Sequence, residues 1–91
     1  MSKFVPAPDV RFAITEDGGM LLNLATGKFF GLNPSAAAVW RHLADGVPPE
    51  EVAVELADSL SVTEERLLSD VHRLADTLGR HGLLLAKGAP S

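Results

Sequence analysis

Ninety-one residues, 46% hydrophobic and 22% charged, are enough for one small globular domain and too apolar for a disordered chain. The absence of cysteine excludes a disulfide framework, a thiolate metal site and a cysteine nucleophile. A formal net charge of −4 weighs against a general phosphate-binding surface. The acidity sits in the middle third, where Arg41 stands against Asp45, Glu50, Glu51, Glu55 and Asp58. No apolar run approaches the ~20 residues that cross a bilayer, and MSKFVPAPDV lacks the apolar core of a signal peptide. The expectation is a soluble cytoplasmic protein.

Residues 1–8 are expected to form a flexible tail, residues 9–86 a single domain, and residues 87–91 a second tail. Up to Leu32 the chain alternates with period two. Val10, Phe12 and Ile14 interleave with Arg11, Ala13 and Thr15, which predicts a half-buried strand. Glu16-Asp17-Gly18-Gly19 reads as a turn, Met20–Leu24 as a second strand, Ala25-Thr26-Gly27 as another turn, and Lys28–Leu32 as a third strand. Short turns between short strands predict an antiparallel meander.

From Asn33 the period becomes helical. Asn33 is a strong N-cap and Pro34 fits the first helical position; Ala36, Val39, Trp40 and Leu43 recur on one face, and Asp45-Gly46 ends the run. Pro48-Pro49-Glu50-Glu51 opens a second helix with an apolar line at Val52, Leu56 and Leu60. Thr63 caps a third, whose core stripe is Leu67, Val71, Leu74 and Leu78, with Gly79 and Gly82 at a fraying end. Leu83-Leu84-Leu85 either adds a short strand or packs down. The predicted class is α+β: a three-stranded antiparallel β-meander followed by three helices, in a layout like that of a winged helix-turn-helix.

Catalytic signatures are missing. The three histidines His42, His72 and His81 have no metal-ligand spacing, Asp17-Gly18-Gly19 is followed by neither a helix nor Lys-Ser/Thr, and no G-x-S-x-G occurs. Glu50-Glu51 and Glu64-Glu65 occupy helix first turns, where the macrodipole favours acids. The sequence predicts a non-enzyme with no metal and no cofactor. DNA reading is disfavoured as well, because the third helix opens on Thr63-Glu64-Glu65; the Arg66, Arg73, Arg80 stripe reads as a solvated face.

Two features exceed the needs of a small core. The third strand is a sheet edge with adjacent Phe29 and Phe30 on opposite faces. Phe30 shares the inward face with Leu32, leaving Phe29 outside or against Phe4 or Val5. The third helix carries Leu68 and Ala75 about 60° off its core stripe, with His72 and Gly79 just beyond. An edge strand beside an apolar helix flank suits β-augmentation by a peptide.

Thr26-Gly27-Lys28-Phe29-Phe30-Gly31-Leu32-Asn33, then Ala37-Ala38-Val39-Trp40 and Leu43, then Asp45-Gly46 and Pro49-Glu50-Glu51-Val52-Ala53, with a closing Leu78-Gly79-x-x-Gly82-Leu83-Leu84, resemble the PqqD-like family over about residues 9–85. Asn23 and Gly31 depart from its pattern, in which an acid and a larger polar residue are commoner at these positions. The resemblance is strongest to the stand-alone recognition proteins of lasso-peptide pathways, with the PQQ-synthesis protein as the alternative and a winged-helix DNA-binding protein as a more distant one. It implies binding of a precursor's leader peptide as an added strand between the third strand and third helix. It further implies presentation of the precursor to a leader peptidase and cyclase, and no catalysis, nucleic acid or membrane partner. Carried onto this chain, the strand contacts are Lys28, Phe29, Phe30 and Gly31, and the helix contacts are Leu68, Val71, His72 and Ala75. Arg66, Arg73 and Arg80 would meet acidic leader residues at the rim.

Overall fold

A computed structural model describes residues 2–88, with side chains placed for residues 4–86. The strands are β1 (Ser2–Pro6), β2 (Val10–Thr15), β3 (Gly18–Asn23), β4 (Lys28–Leu32) and β5 (Leu84–Gly88); the helices α1 (Pro34–Ala44), α2 (Pro49–Leu60) and α3 (Glu64–Arg80) lie between β4 and β5. The predicted α+β meander followed by three helices is present, and β2, β3 and β4 pair antiparallel in that order. Phe12 stands opposite Leu21, and Leu21 opposite Phe30. One sheet face, with Val10, Leu21 and Leu32, is buried; the other carries exposed Met20 and Phe29.

β3 begins at Gly18, two residues before the expected start, and Leu24 falls outside it. A β-carbon on Gly18 would lie 2.3 Å from the Leu32 carbonyl oxygen, and Gly18 has a φ of +134°. This glycine therefore permits close backbone approach inside the sheet as well as ending the turn.

Each helix start follows from its cap. Asn33 Oδ1 accepts the Ala36 N–H at 2.8 Å, and Thr63 Oγ1 accepts the Arg66 N–H at 3.1 Å. On α2 the buried positions are Pro49, Val52, Ala53 and Ala57, with Leu56 and Leu60 only half-buried, so smaller residues than expected face the core. α3 does not fray at Gly79. It continues to Arg80 and closes at Gly82, where the Gly82 N–H donates to the Gly79 carbonyl at 3.1 Å and the Leu83 N–H to the Leu78 carbonyl at 2.9 Å.

The interior is built on Trp40, Leu21, Leu43, Leu78, Val52 and Val71, all fully buried. Phe12 meets the Trp40 ring edge-to-face at 5.3 Å between centroids.

The main correction concerns the N-terminus. Ser2–Pro6, expected within a tail, pair antiparallel with Leu84–Gly88, Phe4 opposite Ala86 and Pro6 opposite Leu84. The second tail begins later than expected, because Lys87 and Gly88 belong to β5. Met1 and residues 89–91, the remainder of the expected tails, lie outside the described residues. Phe4 and Val5 alternate like any strand, but their partner is about 80 residues away in sequence, and local periodicity carries no sign of it. This strand pair lies over one flank of α3 and explains a shift in the buried stripe of that helix. The stripe is Leu67, Val71, Ala75 and Leu78, so Ala75 is core and Leu74 is only half-buried.

Candidate peptide-binding site

β4 has no strand partner on its outer edge among the described residues. It runs along α3 in the opposite sense. Near its start, Phe30 packs edge-to-face on His81 at 5.3 Å between centroids, while Asn33, just past its end, shares a hollow with Ala36, Leu67, Asp70 and Leu74. From Phe30 to Asn33 is three strand residues and from His81 to Leu74 seven helical ones, each about 10 Å; the hollow at the Asn33 end is otherwise walled by Ser35, Ala36 and Val39 of α1. The flank of α3 turned toward β4 is therefore the one bearing Asp70, Leu74, Thr77 and His81, which recur at three- and four-residue spacing.

The predicted strand residues are together. Lys28, Phe29, Phe30 and Gly31 occupy the open edge; Phe29 is 69% exposed on the outer face, Phe30 is half-buried on the inner one, and space is open where a Gly31 side chain would be. Phe29 does not shelter against Phe4 or Val5.

The predicted helix residues lie on the flank of α3 that faces β1 and β5. His72 and Ala75 line a separate hollow with Phe4, Gly79, Leu84 and Ala86, beneath the β1–β5 pair. Ala75 is 3% exposed, Val71 is fully buried, and Leu68 is half-buried against the core. None of these four reaches the edge of β4. The expected core stripe of Leu67, Val71, Leu74 and Leu78 left the Ala75 side as the free flank; β1 and β5 cover that side, and Leu74 lines the hollow beside Asn33 and Ala36 instead. In the sequence His81 stands out only as one of three histidines without metal-ligand spacing.

The arginines of α3 are held by acids of the same helix. Arg66 and Arg73 both approach Asp70 at 3.9 Å, and Arg80 pairs with Asp76 at 2.5 Å. Such exposed pairs contribute little stability, but they interleave both signs along a face that a DNA-reading helix would keep basic.

Asn23, which the sequence marks only as a departure from the family pattern, closes one end of the site. It is 7% exposed, the sole buried polar residue among those described. Its Oδ1 accepts the Ala25 and Thr26 N–H groups at 2.9 and 3.3 Å, and its Nδ2 donates to the Gly82 carbonyl at 3.1 Å. One side chain thus folds the turn before β4 and ties that turn to the end of α3. An acid, the commoner residue in the family pattern, keeps the turn but loses the donor. Asn23→Asp is expected to cost ~1–3 kcal/mol, because a buried carboxylate then faces the Gly82 carbonyl oxygen with no donor between them. Thermal denaturation should fall by roughly 5–15 °C for a domain this size; an unchanged melting temperature would show that the tie to Gly82 carries no stability.

No curated protein matches this chain. Two solved structures do, at a TM-score of 0.83 each. One is "Lasso peptide synthetase B1 complexed with the leader peptide", 30% identical, with 91% of this chain and 98% of that chain covered. The other is "TbiB1 in Complex with the TbiA(beta) Leader Peptide", 27% identical, with 93% and 99% covered. Residues 18–84, which run from the start of β3 through all three helices to the first residue of β5, match the family described as Coenzyme PQQ synthesis protein D (PqqD). With the edge strand, the three-helix layer and this match in agreement, the chain belongs to the PqqD family.

Proposed function

We propose that this chain is a non-catalytic recognition protein. It binds the leader peptide of a ribosomally made precursor and presents it to a separate leader peptidase, and to a cyclase, in lasso-peptide-type biosynthesis. The observation that carries the reading is the open edge of β4 facing the Leu74–His81 flank of α3. An extended peptide antiparallel to β4 satisfies the free N–H and C=O groups of that edge, and its alternate side chains drop toward α3. Main-chain pairing is blind to sequence, and each hydrogen bond nets only ~0.5–1.5 kcal/mol. Selectivity therefore falls to the side chains that meet Phe30, Leu74 and Thr77. The contacts proposed on the strand remain Lys28 to Gly31; on the helix, Leu74, Thr77 and His81 replace Leu68, Val71, His72 and Ala75. The leader peptides bound by the two similar proteins favour the lasso branch over the PQQ branch.

A displayed library of random peptides, roughly 15 residues long, selected on the immobilised chain supplies a ligand without knowledge of the precursor. Titrating a selected peptide into isotope-labelled protein should shift amide resonances of Lys28–Asn33 and of the Asp70–His81 flank. Shifts centred on α2, or on the hollow beneath β1 and β5, would overturn the proposed site.

A further inference from the structure

At the start of β4 the trough has a charge that the chain as a whole does not. Lys28, Arg80 and His81 line an open hollow of about 360 Å³ together with Asn23, Phe29 and Phe30, and no carboxylate lines it. This occurs in a protein of net charge −4. Arg80 and His81 stand in and just past the last turn of α3, where cations suit the helix dipole. Lys28 has no such reason to be there, since it comes from the strand and shares the inner face with Phe30. Arg80 is shared with Asp76, an exposed pair one turn back, while Lys28 has no ion pair among the described residues. His81 holds Nδ1 against the Thr77 carbonyl at 2.8 Å, so that nitrogen is the donor; Nε2 of the neutral ring is then an acceptor, and the two cations Lys28 and Arg80 are the groups that suit a carboxylate. The other end of the trough carries Asp70, an acid already approached by Arg66 and Arg73 at 3.9 Å, so among the described residues only the Lys28 end presents an unpaired charge.

A trough with unlike ends reads direction. A peptide antiparallel to β4 runs from the Asn33 end toward Lys28, so its C-terminal flank leaves over the basic hollow. We infer that the site selects peptides with an acidic side chain, Asp or Glu, one to three residues C-terminal to the paired segment, held by Lys28 and Arg80. This inference rests on strand addition at β4 and adds to it the sign and position of a specificity determinant. It also fixes the peptide's orientation, because a parallel strand would carry the same flank to the Asp70 end.

The test is the composition of library peptides selected by the full chain and by two variants, Lys28→Glu and Arg80→Gln. Displayed peptides are fused at their C-terminus, so a terminal carboxylate cannot mimic the side chain. The wild-type chain should enrich Asp and Glu at one position on the C-terminal side of the apolar anchors by roughly fivefold over the unselected pool, a size in keeping with an exposed ion pair. Lys28→Glu should abolish that preference or turn it toward Lys and Arg, and Arg80→Gln should reduce it. Both should keep the apolar anchors, a pattern that mere loss of folding would not produce. Selected peptides that pair with β4 but show no acidic preference, or a preference unaltered in both variants, would overturn the inference and leave strand addition standing. Peptides that map away from β4 would overturn both.

Discussion

Trp40→Ala is expected to bring the domain close to unfolding at room temperature. Trp40 is fully buried at the centre of α1, roofed by Phe12 across the sheet and packed among Leu21, Leu43 and Val71 in the same cluster. Truncating such a side chain typically costs ~3–5 kcal/mol through lost transfer energy and the cavity left behind. A chain of this length has roughly 5–14 kcal/mol in total. The melting temperature followed by circular dichroism should drop by at least ~15 °C. Trp40→Phe should lose much less. The indole Nε1 has no hydrogen-bond partner among the described residues, so the ring contributes bulk and no polar contact. A Trp40→Ala protein that melts within a few degrees of the wild type would mean that α1 does not present this face to the sheet.

The second large effect separates two adjacent residues of α3. Leu74→Glu is expected to weaken binding of a library-selected peptide by more than tenfold while the domain stays folded. Leu74 is half-buried beside Asn33 and Ala36 on the flank facing β4. A glutamate there can extend its stem and keep its carboxylate wet when no peptide is present. A bound apolar anchor would remove that water, and desolvating a charge costs well over the ~1.4 kcal/mol that equals a factor of ten. Ala75→Glu should instead unfold the protein, because Ala75 is core and its neighbours are Leu84 and the helix's own buried stripe. Circular dichroism assigns each variant to a class, and peptide titration then reads the folded one. A folded Leu74→Glu protein with undiminished binding would move the site off this flank. A folded Ala75→Glu protein with impaired binding would place it on the opposite one.

The contrast between Leu74 and Ala75 marks how far the sequence could be read. The strands from Val10 to Leu32 and the three helices were legible because their signals are local: alternation, Asp-Gly and Thr-Gly turns, and caps at Asn33 and Thr63. The edge position of β4 followed from strand order alone, and with it Lys28 to Gly31. The flank of α3 that stays open was not legible. On a helical wheel the apolar sector includes both Leu74 and Ala75, and choosing between them requires knowing what covers each side. The cover is β1 on β5, whose pairing joins Phe4 to Ala86. Asn23 escaped for a related reason. Its turn-forming role is local, but its bond to Gly82 spans 59 residues and needs the finished fold.

That same strand pair brings the two ends of the described chain side by side, Ser2 facing Gly88. Facing residues of antiparallel strands sit about 5 Å apart, a gap that a short linker closes. The domain can therefore be spliced into a surface loop of a larger enzyme, or cyclically rearranged with new ends at the exposed Glu16-Asp17 corner, without stretching either junction. In such a chimera the β4 edge would lie away from the seam. Tethering the domain to a processing enzyme would then raise the enzyme's local concentration around any captured peptide without altering the affinity of the capture itself.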